Sequence, residues 1–142
     1  MPARILLIDD EQGFVETMAK RLSMRDYAVS TAFNGQAGVD LLAKETIDVV
    51  VLDVKMPGMD GIETLEIIKA VHPLVEVIML TGHATVENAI EGMKRGAFDY
   101  MMKPCDMDGL LAKVDEAYGK KTTQEEKIQE ARARHIVLRR GV

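Results

Sequence analysis

Four places in the chain carry side chains that can handle phosphate and a divalent cation together: Asp9-Asp10, Asp53, Thr81 and Lys103. Three carboxylates brought close repel one another and resist ionising, a cost that a hard divalent cation relieves by accepting oxygen ligands. A lysine beside them offers a compact positive charge to phosphoryl oxygens, and a threonine hydroxyl can donate a hydrogen bond to another. In that company Asp53 has the chemistry of a carboxylate nucleophile, because phosphoryl transfer asks mainly for positioning and charge neutralisation. Taken singly the residues say little, since an acidic pair after an apolar run is commonly a solvated turn or helix cap. The reading therefore depends on whether the fold brings them together.

Each of these residues follows, or ends, a short aliphatic run. Ile5-Leu6-Leu7-Ile8 precedes the acidic pair, Val49-Val50-Val51-Leu52 precedes Asp53, Val75 to Leu80 precedes Thr81, and Ala97 to Met102 precedes Lys103. Tyr27-Ala28-Val29 is a fifth run. Amphipathic helical stripes alternate with them: Phe14, Val15, Met18, Leu22; then Val39, Leu42; then Ile62, Leu65, Ile68; then Val86, Ala89, Ile90, Met93; then Met107, Leu110, Leu111, Val114. Such alternation predicts an α/β protein with a doubly wound, five-stranded parallel sheet in the flavodoxin-like order 2-1-3-4-5, a (βα)5 arrangement with helices on both faces. In that order strands one, three, four and five are neighbours about 4.8 Å apart, and ligands bind outside their carboxyl ends where the winding reverses. Gly35, Gly61 and Gly96 fall between elements, where positive φ is useful.

The chain of 142 residues is long enough for one domain with a short extension. Residues 1–119 are expected to form the domain. From 120 the composition changes to Lys120-Lys121-Thr122-Thr123-Gln124-Glu125-Glu126-Lys127, so 120–142 is read as a C-terminal tail, partly helical or a linker stub, with a thin stripe of Ile128, Ala131, His135 and Leu138. Hydrophobic residues at 47% and charged residues at 29% suit a globular chain. A net charge of −5 argues against direct nucleic-acid binding. No apolar run reaches the length of a membrane span or a signal-peptide core, and the single cysteine, Cys105, fits a reducing compartment, so a cytoplasmic location is expected.

Read in order, Ile8-Asp9-Asp10-Glu11, Asp53-Val54-Lys55-Met56-Pro57-Gly58-Met59-Asp60-Gly61, Leu80-Thr81-Gly82 and Tyr100-Met101-Met102-Lys103-Pro104 resemble the response-regulator receiver family of two-component signalling over roughly residues 3 to 118. The resemblance implies that Asp53 is the phosphoacceptor, fed by a histidine kinase or phosphotransfer protein. It implies that Asp10 and Asp53 bind Mg2+ (or Mn2+) directly, that Asp9 holds it through water, and that the Lys55 backbone carbonyl adds a ligand. Thr81 and Lys103 would contact the phosphoryl group, with a cis Lys103-Pro104 bond. Thr81 and Tyr100 would form the switch, and Lys55 and His83 occupy the positions that tune dephosphorylation. Signalling would pass through the surface of the fourth helix, fifth strand and fifth helix to an unknown target, or to a homodimer through that surface or the tail. The segment from Thr81 to Ile90 is similar to receivers of the sigma54-activator type, although no ATPase motif of the form Gly-x-x-x-x-Gly-Lys-Thr occurs in the chain.

The resemblance implies a phosphoacceptor signalling domain, not an enzyme that turns over a substrate. A phosphatase would place a second acid two residues after the nucleophile, where Lys55 stands. A flavin carrier on the same sheet would need hydroxyls and free amides after the first strand, where the chain reads Asp-Asp-Glu-Gln-Gly. A docking-only pseudo-receiver would not need a complete acidic set. Met56, Met59, Met101 and Met102 are read as packing, and His72 and His135 as scattered residues without metal-binding partners.

Overall fold

The computed structural model describes residues 2–82 and 85–139, with side chains through 136, so the places expected for His83 and Leu138 lie outside the described side chains. Five parallel strands, β1 (Arg4–Ile8), β2 (Ala28–Ala32), β3 (Val49–Leu52), β4 (Glu76–Thr81) and β5 (Asp99–Met102), lie in the order β2-β1-β3-β4-β5. Helices α1 (Gln12–Ser23), α2 (Gly35–Leu42), α3 (Gly61–Val71), α4 (Val86–Lys94) and α5 (Met107–Arg139) alternate with them.

Alternate residues of the central strands feed two separate cores, as a sheet covered on both faces requires. Leu6, Ile8, Val50, Leu52, Val77 and Met79 pack with Leu42, Leu65 and Ile68 of α2 and α3. Ile5, Leu7, Val49, Val51, Ile78 and Leu80 pack with Val15, Met18 and Leu22 of α1 and with Leu110, Val114 and Ala117 of α5. Full burial of each such Val, Leu, Ile or Met side chain contributes roughly 1.5–3 kcal/mol. Four helices are capped at their N-termini by side-chain oxygens: Asn34 accepts from the Ala37 amide at 2.8 Å, Asp60 from Glu63 at 2.9 Å, Thr85 from Asn88 at 3.0 Å, and Asp106 from Gly109 at 2.5 Å.

The structure departs from the sequence reading in several places. β2 continues to Ala32 rather than ending at Val29, because this edge strand is only half covered and tolerates Ser30 and Thr31. Gly35 and Gly61 are the first residues of α2 and α3 and are required for space, not for positive φ: a Cβ on Gly35 would collide with Thr64 Oγ1, and one on Gly61 with the carbonyl of Asp53. Gly96, by contrast, has φ 103°. The stripe expected to bury α4 faces outward instead. Val86, Ile90 and Met93 are exposed and Gly92 alone is buried, so α4 rests on the domain through a glycine lying against Tyr100 and Met79.

At the end of the sheet opposite the carboxyl termini of the strands lies a buried ionic network. Asp48, just before β3, accepts from the Arg4 amide at 2.8 Å, from Arg4 Nε and Nη2 at 3.1 Å, and from Lys121 Nζ at 2.9 Å. Glu76 accepts from Lys69 and Lys120, each at 3.2 Å. α5 runs without a break through position 119, and its lysines at 120 and 121 are tied to the sheet. Beyond them Ile128 and Ile136 are exposed.

Candidate functional site

The carboxyl ends of β1, β3, β4 and β5 converge as their order requires. Asp9, Asp10 and Asp53 each present a carboxylate oxygen within 4.8 Å of the others. Their placement follows from hydrogen bonds that prolong the sheet one residue past each strand: Asp9 N–H donates to the Ala32 carbonyl at 3.1 Å, Asp53 N–H to Ile8 at 3.0 Å, and Lys103 N–H to Thr81 at 2.9 Å. Asp9, Asp53 and Thr81 are buried, whereas Asp10 is exposed at the rim. The peptide bond between Lys103 and Pro104 is cis, as expected.

Lys103 crosses the floor of this cluster. Its Nζ donates to Asp9 Oδ2 at 2.6 Å and lies 3.4 Å from Glu11 Oε1. The other Asp9 oxygen accepts the Glu11 amide at 3.0 Å, and Asp53 Oδ1 accepts the Val54 amide at 2.8 Å. Burial raises the Asp9 pKa above the usual carboxylate range, against the opposing pull of Lys103. Burial would lower Lys103, but the hydrogen bond to Asp9 and the charges of Asp9, Asp53 and Glu11 outweigh it and the pKa is raised. The three clustered carboxylates thus share one ammonium, which hydrogen-bonds to Asp9 alone among them, and Asp9 is charged only at a cost. A donor set of crowded, partly buried carboxylate oxygens with this excess of negative charge fits a hard divalent cation, and Asp9, Asp10 and Asp53 are the residues able to hold it.

Tyr100 sits on β5 with its ring half-buried against the core of α2 and α3, and its hydroxyl is buried without a hydrogen-bond partner among the described residues. Burial, then the negative charge of Asp53, pushes the phenol pKa up, against the opposing pull of the Thr85 backbone. Lys55 is exposed beside the cluster.

The loop carrying Asp53 is pinned from below by α3. Gly61 N–H donates to the Val54 carbonyl at 2.7 Å, and no room remains for a side chain there. Gly61→Ala is expected to cost about 2 kcal/mol through overpacking, seen as a lower urea midpoint at unchanged slope. Sequence reasoning did not assign two residues that border the cluster, Glu11 and Phe14. Glu11 follows directly on the acidic pair, but Phe14 reads in the sequence only as one member of a helical stripe.

Comparison with known proteins agrees with this geometry. Residues 5–115 match the family model described as the response regulator receiver domain. Over 116 residues the chain is 36% identical to the transcriptional regulatory protein GlrR of Escherichia coli, an alignment covering 82% of this chain and 26% of that protein. The chain thus spans about a quarter of the length of such relatives. A receiver domain from Clostridium thermocellum superposes with a TM-score of 0.81 at 36% identity, covering 86% of this chain and 98% of that one. NtrX from Brucella abortus superposes with a TM-score of 0.83 at 31% identity, covering 89% of this chain and 29% of that one.

Proposed function

Since the chain belongs to the response regulator receiver family, we propose that Asp53 accepts a phosphoryl group from a histidine kinase or phosphotransfer protein and that the modification changes the surface offered to a partner. A receiver is a signalling domain that acts on its own phosphorylation and dephosphorylation; it is not a turnover enzyme. The observation that carries the reading is the meeting of Asp9, Asp10 and Asp53 at one rim with the Lys103 ammonium seated on Asp9.

In the proposed reaction a carboxylate oxygen of Asp53 attacks phosphorus, a P–O bond forms, and the P–N bond to the donor imidazole breaks, with the electron pair leaving on nitrogen. Lys103 meets the charge of the phosphoryl oxygens and the Thr81 hydroxyl donates to one of them. Mg2+, or Mn2+ in its place, would be held by Asp10, Asp53 and the Lys55 carbonyl, with Asp9 acting through water, and would neutralise the gathered negative charge. Thermal scans are expected to show wild type stabilised by about 1.4 kcal/mol when free Mg2+ is ten times its Kd, a shift of several degrees, and Asp10→Ala to lose it.

The added charge of roughly −1.5 to −2 biases Thr81 and Tyr100 between two arrangements. The exposed Val86, Ile90 and Met93 of α4 and Met102 of β5 supply the apolar surface that such a change would remodel, on the α4-β5-α5 face. We assign 1–119 as the receiver and 120–142 as a C-terminal tail, a partly helical extension or linker stub; partner docking or homodimerisation would use that face or the tail. Lys55 and His83 are assigned to tuning hydrolysis, His83 lying outside the described residues. No described helix is long and apolar enough to cross a membrane; the cytoplasmic location is proposed from the signalling role of the family.

Incubation with acetyl phosphate and Mg2+, followed by borohydride reduction and peptide mass mapping, tests the assignment. Conversion of the acyl phosphate to homoserine at position 53 is the expected result. Modification at another residue overturns the assignment, and an unmodified chain favours a docking-only domain.

A further inference from the structure

Lys103 has three close partners, and one of them is uncharged. Besides Asp9 and Glu11, its Nζ lies 4.1 Å from the centroid of the Phe14 ring. Only 11% of the Lys103 side chain is exposed, so the ammonium meets the ring largely out of water, where a cation–π contact counts for most. A second such pair among the described residues shows the contrast: Lys120 stands 5.9 Å from the Phe98 ring with half its side chain in solvent.

We infer that Phe14 is a positioning residue for phosphoryl transfer, holding the Lys103 ammonium over its ring face in the direction of Asp53; this rests on the reading of Asp53 as phosphoacceptor. The four-carbon stem of lysine allows many placements, and packing must select one. Asp9 and Glu11 hold the ammonium through charge, so each competes for it with an incoming phosphoryl oxygen. The ring face attracts without an opposing charge and leaves N–H directions unused, so Lys103 can keep this contact while it engages a phosphoryl group. Phe14 itself is set by α1: its neighbour Val15 is wholly buried against the sheet, and the ring, half-buried, packs at the margin of the same core.

The test compares wild type with Phe14→Leu, Phe14→Tyr and Phe14→Trp. One readout is the initial rate of labelling by radioactive acetyl phosphate with Mg2+. The other is the NMR shift of the Lys103 ε-methylene protons, which a ring current moves upfield and which loss of packing elsewhere leaves untouched. Phe14→Leu is expected to lose the upfield shift and to slow labelling about three- to tenfold, the range of one partly desolvated cation–π contact. Tyr and Trp are expected to restore both. A Phe14→Leu chain that labels at the wild-type rate overturns the positioning role alone, as do aromatic variants that restore the shift without the rate. A wild-type chain that takes up no label overturns the Asp53 reading, and the positioning role with it.

Discussion

Asp53→Asn is expected to abolish phosphoryl uptake from acetyl phosphate, reducing it below about one hundredth of the wild-type level in an intact-mass assay. The amide keeps the shape of the carboxylate, and its oxygen can still accept the Val54 amide that Asp53 Oδ1 accepts at 2.8 Å. What it loses is the negative charge that makes the oxygen a nucleophile and that helps to gather a cation. The same substitution removes one of three mutually repelling charges from a partly buried rim, so the variant is expected to unfold at a temperature at least as high as wild type without added metal. Loss of uptake with unchanged or raised stability separates chemistry from folding. Undiminished uptake by the variant would remove Asp53 from the reaction.

The largest effect on stability is expected at the other end of the sheet. Asp48→Ala strips the partner from Lys121, which is only 7% exposed, and leaves the Arg4 amide unsatisfied. A buried charge left uncompensated costs about 3–5 kcal/mol, and partial relief by Glu125, 3.3 Å from Lys121 Nζ, places the expected loss near the lower figure, about 3 kcal/mol by urea unfolding. A loss below about 1 kcal/mol would mean that the network contributes little.

The effect should also depend on pH in a defined sense. Burial acts to raise Asp48, but hydrogen bonds from the Arg4 side chain and amide, together with Lys121, outweigh it and hold the carboxyl below its usual range. A carboxyl whose folded pKa lies below its unfolded one contributes stability that is whole above about pH 4 and is lost as pH falls through the folded value. The gap between wild type and Asp48→Ala is therefore expected to be constant from about pH 5 to 7 and to narrow in stronger acid.

The two ends of the sheet differ in how far the sequence discloses them. The rim was legible because its residues stand directly after runs such as Val49-Val50-Val51-Leu52, and a parallel sheet makes the end of each strand a shared address. Strand order then converts positions 9, 53, 81 and 103 into neighbours. The Asp48–Lys121 pair joins residues 73 positions apart and has no such rule behind it. Lys120-Lys121 stands at the head of a charged run that reads as solvated, and Asp48 reads as the polar residue before a strand. Phe14 was hidden for a related reason: a 3.6-residue period tells which residues lie on the covered side of α1, but not that one ring at its margin lies against an ammonium carried by β5. Gly61 was noticed, yet for the wrong property, because crowding by the Asp53 carbonyl comes from tertiary packing and not from the local chain.

The unbroken α5 has the geometry of a lever arm. Its length of 33 residues corresponds to about 50 Å, and it is seated on the sheet through Lys120 and Lys121, which serve as a fulcrum about 27 Å from Arg139. A tilt of about five degrees at that fulcrum displaces the far end by about 2 Å, so a rearrangement too small to disturb either core would still be delivered, magnified, to whatever the distal turns touch.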